Sequence, residues 1–110
     1  MQAAAEIHAG VCGFVTRVRA TPEPDDTVAL QIESDCEKIR ATAERIGPSV
    51  DPIHEIHRGY EGAVLTAART TLRGCCSGCV VPSGIFKTVQ VAGNLALPRD
   101  ISIVIKDTTT

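Results

Sequence analysis

Cys12, Cys36, Cys75, Cys76 and Cys79 carry the strongest chemical signal in this chain. Met1–Glu6 carries neither the positive nor the apolar region of a secretory leader, so a reducing setting is expected. There an odd and high number of cysteines points to metal binding or thiol chemistry rather than a disulfide framework. Cys12 precedes Gly13, where an extended run breaks. Cys36 falls in the first turn of a predicted helix. Cys79 follows Gly78 and comes three residues before Pro82, which opens another helix. Free backbone N–H groups and the positive end of the helix dipole stabilise a thiolate at such places. The thiolate is the form that binds zinc or iron. Backbone amides beside these cysteines, at Gly13 and Gly78, can donate hydrogen bonds to cluster sulfurs. Cys12, Cys36 and Cys79 are therefore expected to converge at one end of the fold on one soft-metal site.

Three thiolates do not complete a tetrahedral zinc site or a four-thiolate cluster. Cys76 is the first candidate for the fourth ligand, because it stands in a C-x-x-C with Cys79 and offers the softest donor. Asp35, adjoining Cys36, is the second. The C-x-x-C also suits a redox pair, but a predicted helix rather than a strand precedes it. Cys75 reads as an extra residue in a turn of small residues. His54 and His57, with Glu55 between them, share one side of a short helix. With Glu55 they offer a metal-ligating set, but they read first as a solvated face beside packed Ile53 and Ile56. His8 is isolated. No phosphate-binding glycine loop and no Ser/His/Asp constellation is present. Two further readings stay open: a small thiol-dependent enzyme or redox protein using Cys36 or Cys79, and a structural module whose cysteines fill the core.

The elements that must position these residues follow from periodicity. Residues 6–20 read as a strand interrupted at Cys12–Gly13, and residues 27–33 as a second strand, with Val28, Leu30 and Ile32 alternating. The two are expected to pair antiparallel. Ser34-Asp35-Cys36-Glu37 fits a capping box with Ser34 as N-cap. Gly47-Pro48 ends that helix. Asp51-Pro52 opens a short one. A third spans 60–72, and a fourth runs from Pro82 to about Ala92, closed by Gly93-Asn94. Ile101, Ile103 and Ile105 mark a C-terminal strand. The expected fold is a single α+β domain over residues 1–107, with a small, mostly antiparallel sheet of two N-terminal strands and one C-terminal strand covered by about four helices. Residues 108–110 read as a short tail.

Composition narrows the classes. The chain has 110 residues and a formal charge of −2, with 44% hydrophobic and 22% charged residues. Aromatics are 3%, and no basic stripe is present, which argues against a nucleic-acid partner. No apolar run approaches the ~20 residues of a membrane span. The expected setting is the cytoplasm.

The layout of Cys12-Gly13, two strands, Cys36 at a helix start, a long helical excursion and Cys79 before a helix resembles the iron–sulfur scaffold proteins of the IscU and NifU N-terminal type. That resemblance covers about residues 7–92 and includes the cysteine separations of 24 and 43 positions. It implies a cluster, or zinc, held on the three thiolates, and a sulfur-donor or acceptor protein as partner. Where that family has an acid two positions after its first cysteine, this chain has Phe14. Where it has a histidine before the third, this chain has Gly78. The motifs Cys12-Gly13-Phe14, Ser34-Asp35-Cys36 and Cys79-Val80-Val81-Pro82-Ser83-Gly84 also look like a group of small uncharacterised prokaryotic proteins.

Overall fold

The computed structural model describes residues 1–109. Among them, the chain forms an α+β fold around a four-stranded antiparallel sheet ordered β1-β2-β3-β4. The strands are β1 (Ala3–His8), β2 (Val15–Pro22), β3 (Val28–Ser34) and the two-residue β4 (Ser49–Val50). The helices are α1 (Glu37–Ile46), α2 (Pro52–Arg58), α3 (Ala63–Thr71) and α4 (Val81–Ala92), with 3-10 turns at Gly59–Glu61 and Gly74–Gly78.

The run over 6–20 is two strands rather than one. The chain reverses between Ala9 and Phe14, and Ile7 comes to face Thr16 in the β1–β2 register. Gly10 at φ 87° and Gly13 at φ 75° supply the left-handed backbone that a tight reversal needs. One face of the sheet is dry: Thr16, Val18, Ala20, Val28 and Leu30 are buried. The opposite face is polar, with Arg17 donating to Glu6 at 2.9 Å. This alternation is what a sheet covered on one side requires.

The helices close the dry face. Ile39 and Ile46 of α1, Val64, Ala67 and Ala68 of α3, and Val81, Ile85, Val89 and Ala92 of α4 join the strand residues in one core. A Cβ at Gly84 would stand 2.5 Å from Ile7 Cδ1, so α4 lies against β1 near the reversal. At the other end of α4, a Cβ at Gly93 would stand 2.8 Å from Pro52 Cβ. Helix α4 thus runs along the sheet from the end bearing the reversal to the end where α2 begins.

Several expectations need correction. Residues 101–105 form no strand, and their side chains are exposed. They leave the end of α4 without meeting a sheet edge, and an alternating pattern alone pairs no backbone groups. The N-cap of α1 is Cys36, not Ser34, and has no side-chain cap bond. Ser34 is still part of β3, paired with Thr16. The helix expected over 60–72 is split into a 3-10 turn and α3.

Ile53 and Ile56 are exposed, while Pro52 and Glu55 form the buried side of α2. Asp51 does cap α2, accepting from the Ile53 and His54 amides at 3.0 and 3.2 Å. The tail expected at 108–110 has Thr108 and Thr109 exposed and outside any helix or strand, and Thr110 lies outside the described residues.

Candidate metal centre

The site is built where three chain segments reach the same end of the sheet. Ile7, Thr16 and Ser34 form one row across β1, β2 and β3. The β1–β2 reversal begins just beyond Ile7, and Cys36 follows two residues after Ser34. Cys12 is in the reversal itself, within the turn closed by Gly13 N–H donating to the Gly10 carbonyl at 2.9 Å. Its side chain is exposed.

Cys36 is anchored from below. Thr16 Oγ1 is buried under the sheet and donates to Ser34 Oγ at 2.9 Å. Ser34 Oγ accepts from the Cys36 N–H at 3.1 Å. Arg40 reaches back from the first turns of α1 to the Ser34 carbonyl at 3.0 Å. These bonds fix the step from β3 into α1 and leave Cys36 half-buried against the core. Asp35 is exposed between half-buried Ser34 and Cys36. Successive residues of an extended segment point to opposite sides, so Asp35 faces solvent rather than the thiol beside it.

The third segment is the 3-10 turn Gly74–Gly78. Its Cys76 N–H donates to the Arg73 carbonyl at 3.2 Å, and the Cys79 N–H to the Cys76 carbonyl at 3.1 Å. Residues three apart eclipse one another in this geometry. Cys76 and Cys79 therefore share a side, and both are half-buried against the core. Cys75 is exposed. Gly74, at φ 63°, makes the bend that releases the turn from α3. Gly78 leaves open space around its Cα, and Gly13 does the same in the hairpin reversal.

The electrostatics of Cys79 tie the segments together. Burial pushes its thiol pKa above the ordinary 9.0. The Val81 backbone N–H, at the start of α4, acts in the opposite direction by hydrogen bonding. Cys12, Cys36 and Cys76 add to the rise through like-charge repulsion. Each of these three thiols thus acts on Cys79, the third segment's thiol nearest α4. Among the described residues, no three Cys, His, Asp or Glu side chains stand close enough to enclose an ion as they are placed. Cys36 stands at the start of α1, Cys76 and Cys79 just before α4, and Cys12 on a solvent-exposed hairpin end.

The histidines lie elsewhere. His54 and His57 are exposed on α2, and His8 bonds Glu6 at 3.1 Å on the polar edge of β1. Glu55 is not beside them as a ligand. It is 2% exposed, and its carboxylate accepts from the Ala63 and Val64 amides at 2.9 and 2.8 Å. It caps α3 across a gap in sequence, and Gly62 gives it room. The positioning roles of Thr16 and Ser34 escape sequence reasoning because they depend on the β1–β2–β3 register, and that of Gly84 because it depends on the packing of α4 on β1.

Comparison with known proteins identifies a family. The chain matches the model of a family of unknown function (DUF6951) over residues 3–105 and belongs to that family. No curated protein and no solved structure matches it.

Proposed function

We propose that this member of the DUF6951 family binds a metal centre, an iron–sulfur cluster first and zinc second, through Cys12, Cys36, Cys76 and Cys79. One observation supports the proposal: Cys12, Cys36 and Cys76, from three separated segments, each act electrostatically on the Cys79 thiol just before α4. Four thiols crowded together repel one another on ionisation, and a cation turns that repulsion into attraction. The donor set fits either centre. Cys12 sits on an exposed turn and Cys76 on a 3-10 turn, the two segments free to draw in around an ion. Asp35, facing solvent, is the weaker fourth donor. The Gly78 amide adjoins Cys79 and would donate to bound sulfide, whereas the Gly13 amide is already given to the Gly10 carbonyl.

The order of cysteine-bearing elements supports a scaffold or carrier like the IscU and NifU N-terminal proteins. Its partner would be a sulfur-donor or cluster-acceptor protein in a reducing, cytoplasmic setting. Among the described residues no helix is long and apolar enough to cross a membrane. The thiol-enzyme alternative needs an activated nucleophile, and burial makes Cys79 the reverse. Anaerobic purification followed by absorption spectroscopy and metal analysis tests the proposal. Brown protein with bound iron and sulfide, or colourless protein with stoichiometric zinc, is the expected result. Metal-free protein after anaerobic reconstitution with both would end this reading.

A further inference from the structure

We infer that residues 101–105 add as a strand to the outer edge of β1 in a second copy of this chain, giving a reciprocal dimer. The segment Ile101-Ser102-Ile103-Val104-Ile105 alternates as a half-buried strand does. In the single chain its apolar side chains are 60%, 65%, 73% and 91% exposed for Ile101, Ile103, Val104 and Ile105. It extends a molecule 54 Å long whose other dimensions are 27 and 25 Å. The family match continues through residue 105, so the segment lies within the matched span.

A segment of this kind has two needs: cover for its isoleucines and partners for its backbone groups. Only a strand edge supplies both. β1 is such an edge, hydrogen-bonded to β2 alone. Its inward residues Ala3, Ala5 and Ile7 are half-buried, and two of them are alanines that leave the flank of the core thinly covered. Its outward residues are Ala4, Glu6 and His8. An added strand would set Ile101, Ile103 and Ile105 beside the inward row. Ser102, Val104 and Lys106 would fall beside the outward one. Both faces match in pattern, as register requires.

A second copy is the occupant because residues 101–105 stay exposed and unpaired in the single chain although its own β1 edge is open. Exchange between two copies pairs both segments and both edges in one closed two-fold assembly. The proposal does not rest on the metal centre, since none of its observations involves a cysteine.

Sedimentation equilibrium of the full chain, with a chelator and a thiol reductant present, tests it without contributions from metal or disulfide links. The wild type is expected to be dimeric at sub-millimolar concentration, with β1 amides protected from hydrogen exchange. The Ile103→Asp/Ile105→Asp variant alters only exposed positions and is expected to keep its circular dichroism. Its dimer dissociation constant should rise on the order of a hundredfold, and its β1 amides should exchange faster. A monomeric wild type overturns the inference, including one whose own segment protects β1. A variant that stays dimeric overturns it too.

Discussion

The Ser34 hydroxyl accepts the Cys36 backbone N–H at 3.1 Å, and so couples the third strand to the first turn of α1. Ser34 is held in turn by Thr16, whose buried hydroxyl has no other partner among the described hydrogen bonds. Ser34→Ala leaves that hydroxyl without an acceptor and frees the Cys36 amide. A loss of about 1–2 kcal/mol in apo stability is expected by urea unfolding. Metal affinity should fall without any donor being removed, as measured by competition with a chromophoric chelator. Thr16→Val combined with Ser34→Ala removes both halves of the bond and should recover part of the stability. Unchanged metal affinity in Ser34→Ala would mean that Cys36 is not positioned through this bond.

Glu55 links α2 to α3 far from the thiols. Its two oxygens take the Ala63 and Val64 amides, which are otherwise orphan donors at a helix start. Glu55→Ala should cost on the order of 3 kcal/mol, because two N–H groups lose a charged acceptor under the core. Glu55→Gln keeps one acceptor oxygen and should cost less. Both variants should bind metal as the wild type does once folded. Metal titration followed by thermal melting separates the two effects, and lost metal binding in a folded Glu55→Gln would assign the residue to the site.

How far the sequence could be read depends on whether the signal was local. Asp51-Pro52 and Gly93-Asn94 announce helix ends through their own backbone preferences, and α2 and α4 start and stop beside them. Cys12-Gly13 was legible as a break but not as a reversal. Either side of it alternates in the same way, and only the pairing of Ile7 with Thr16 distinguishes one strand from two. Ile101–Ile105 shows the converse: an alternating run specifies a strand only when an edge is available to it. Glu55 was unreadable because its partners lie eight and nine residues away, across a 3-10 turn. Cys12 and Cys79 stand at element ends, as their glycine and proline neighbours indicate, whereas the Thr16–Ser34–Cys36 chain of bonds needed the register.

The apo protein should lose stability as pH rises above about 9. Cys79 has its pKa raised from 9.0 in the fold, first by burial and further by the neighbouring thiols. The folded state therefore holds this proton more tightly than the unfolded chain does. That contribution is fully present below the unfolded pKa and is lost as pH climbs through the folded one. Cys79→Ala should flatten this part of the profile, measured by denaturant unfolding in reductant and chelator. A slope as steep in Cys79→Ala as in the wild type would place the titrating group elsewhere.

The ligand set is decided by single substitutions read as metal content after anaerobic reconstitution. Cys36→Ala and Cys79→Ala remove half-buried donors from the helix starts, and each should abolish retention. Cys12→Ala should abolish it as well, although Cys12 is exposed, because no other thiol comes from the β1–β2 reversal. Cys76→Ala should weaken retention only in part, since water or Asp35 can take one position of four. Asp35→Asn alone should change little while Cys76 is present, but the Cys76→Ala/Asp35→Asn double variant should retain less than Cys76→Ala. Cys75→Ala, at an exposed position outside the shared side of the 3-10 turn, should retain metal as the wild type does. Full retention in Cys12→Ala and Cys36→Ala would confine binding to the 75–79 turn. The convergence of three segments would then be packing alone, and the likeness to cluster scaffolds would carry no functional meaning.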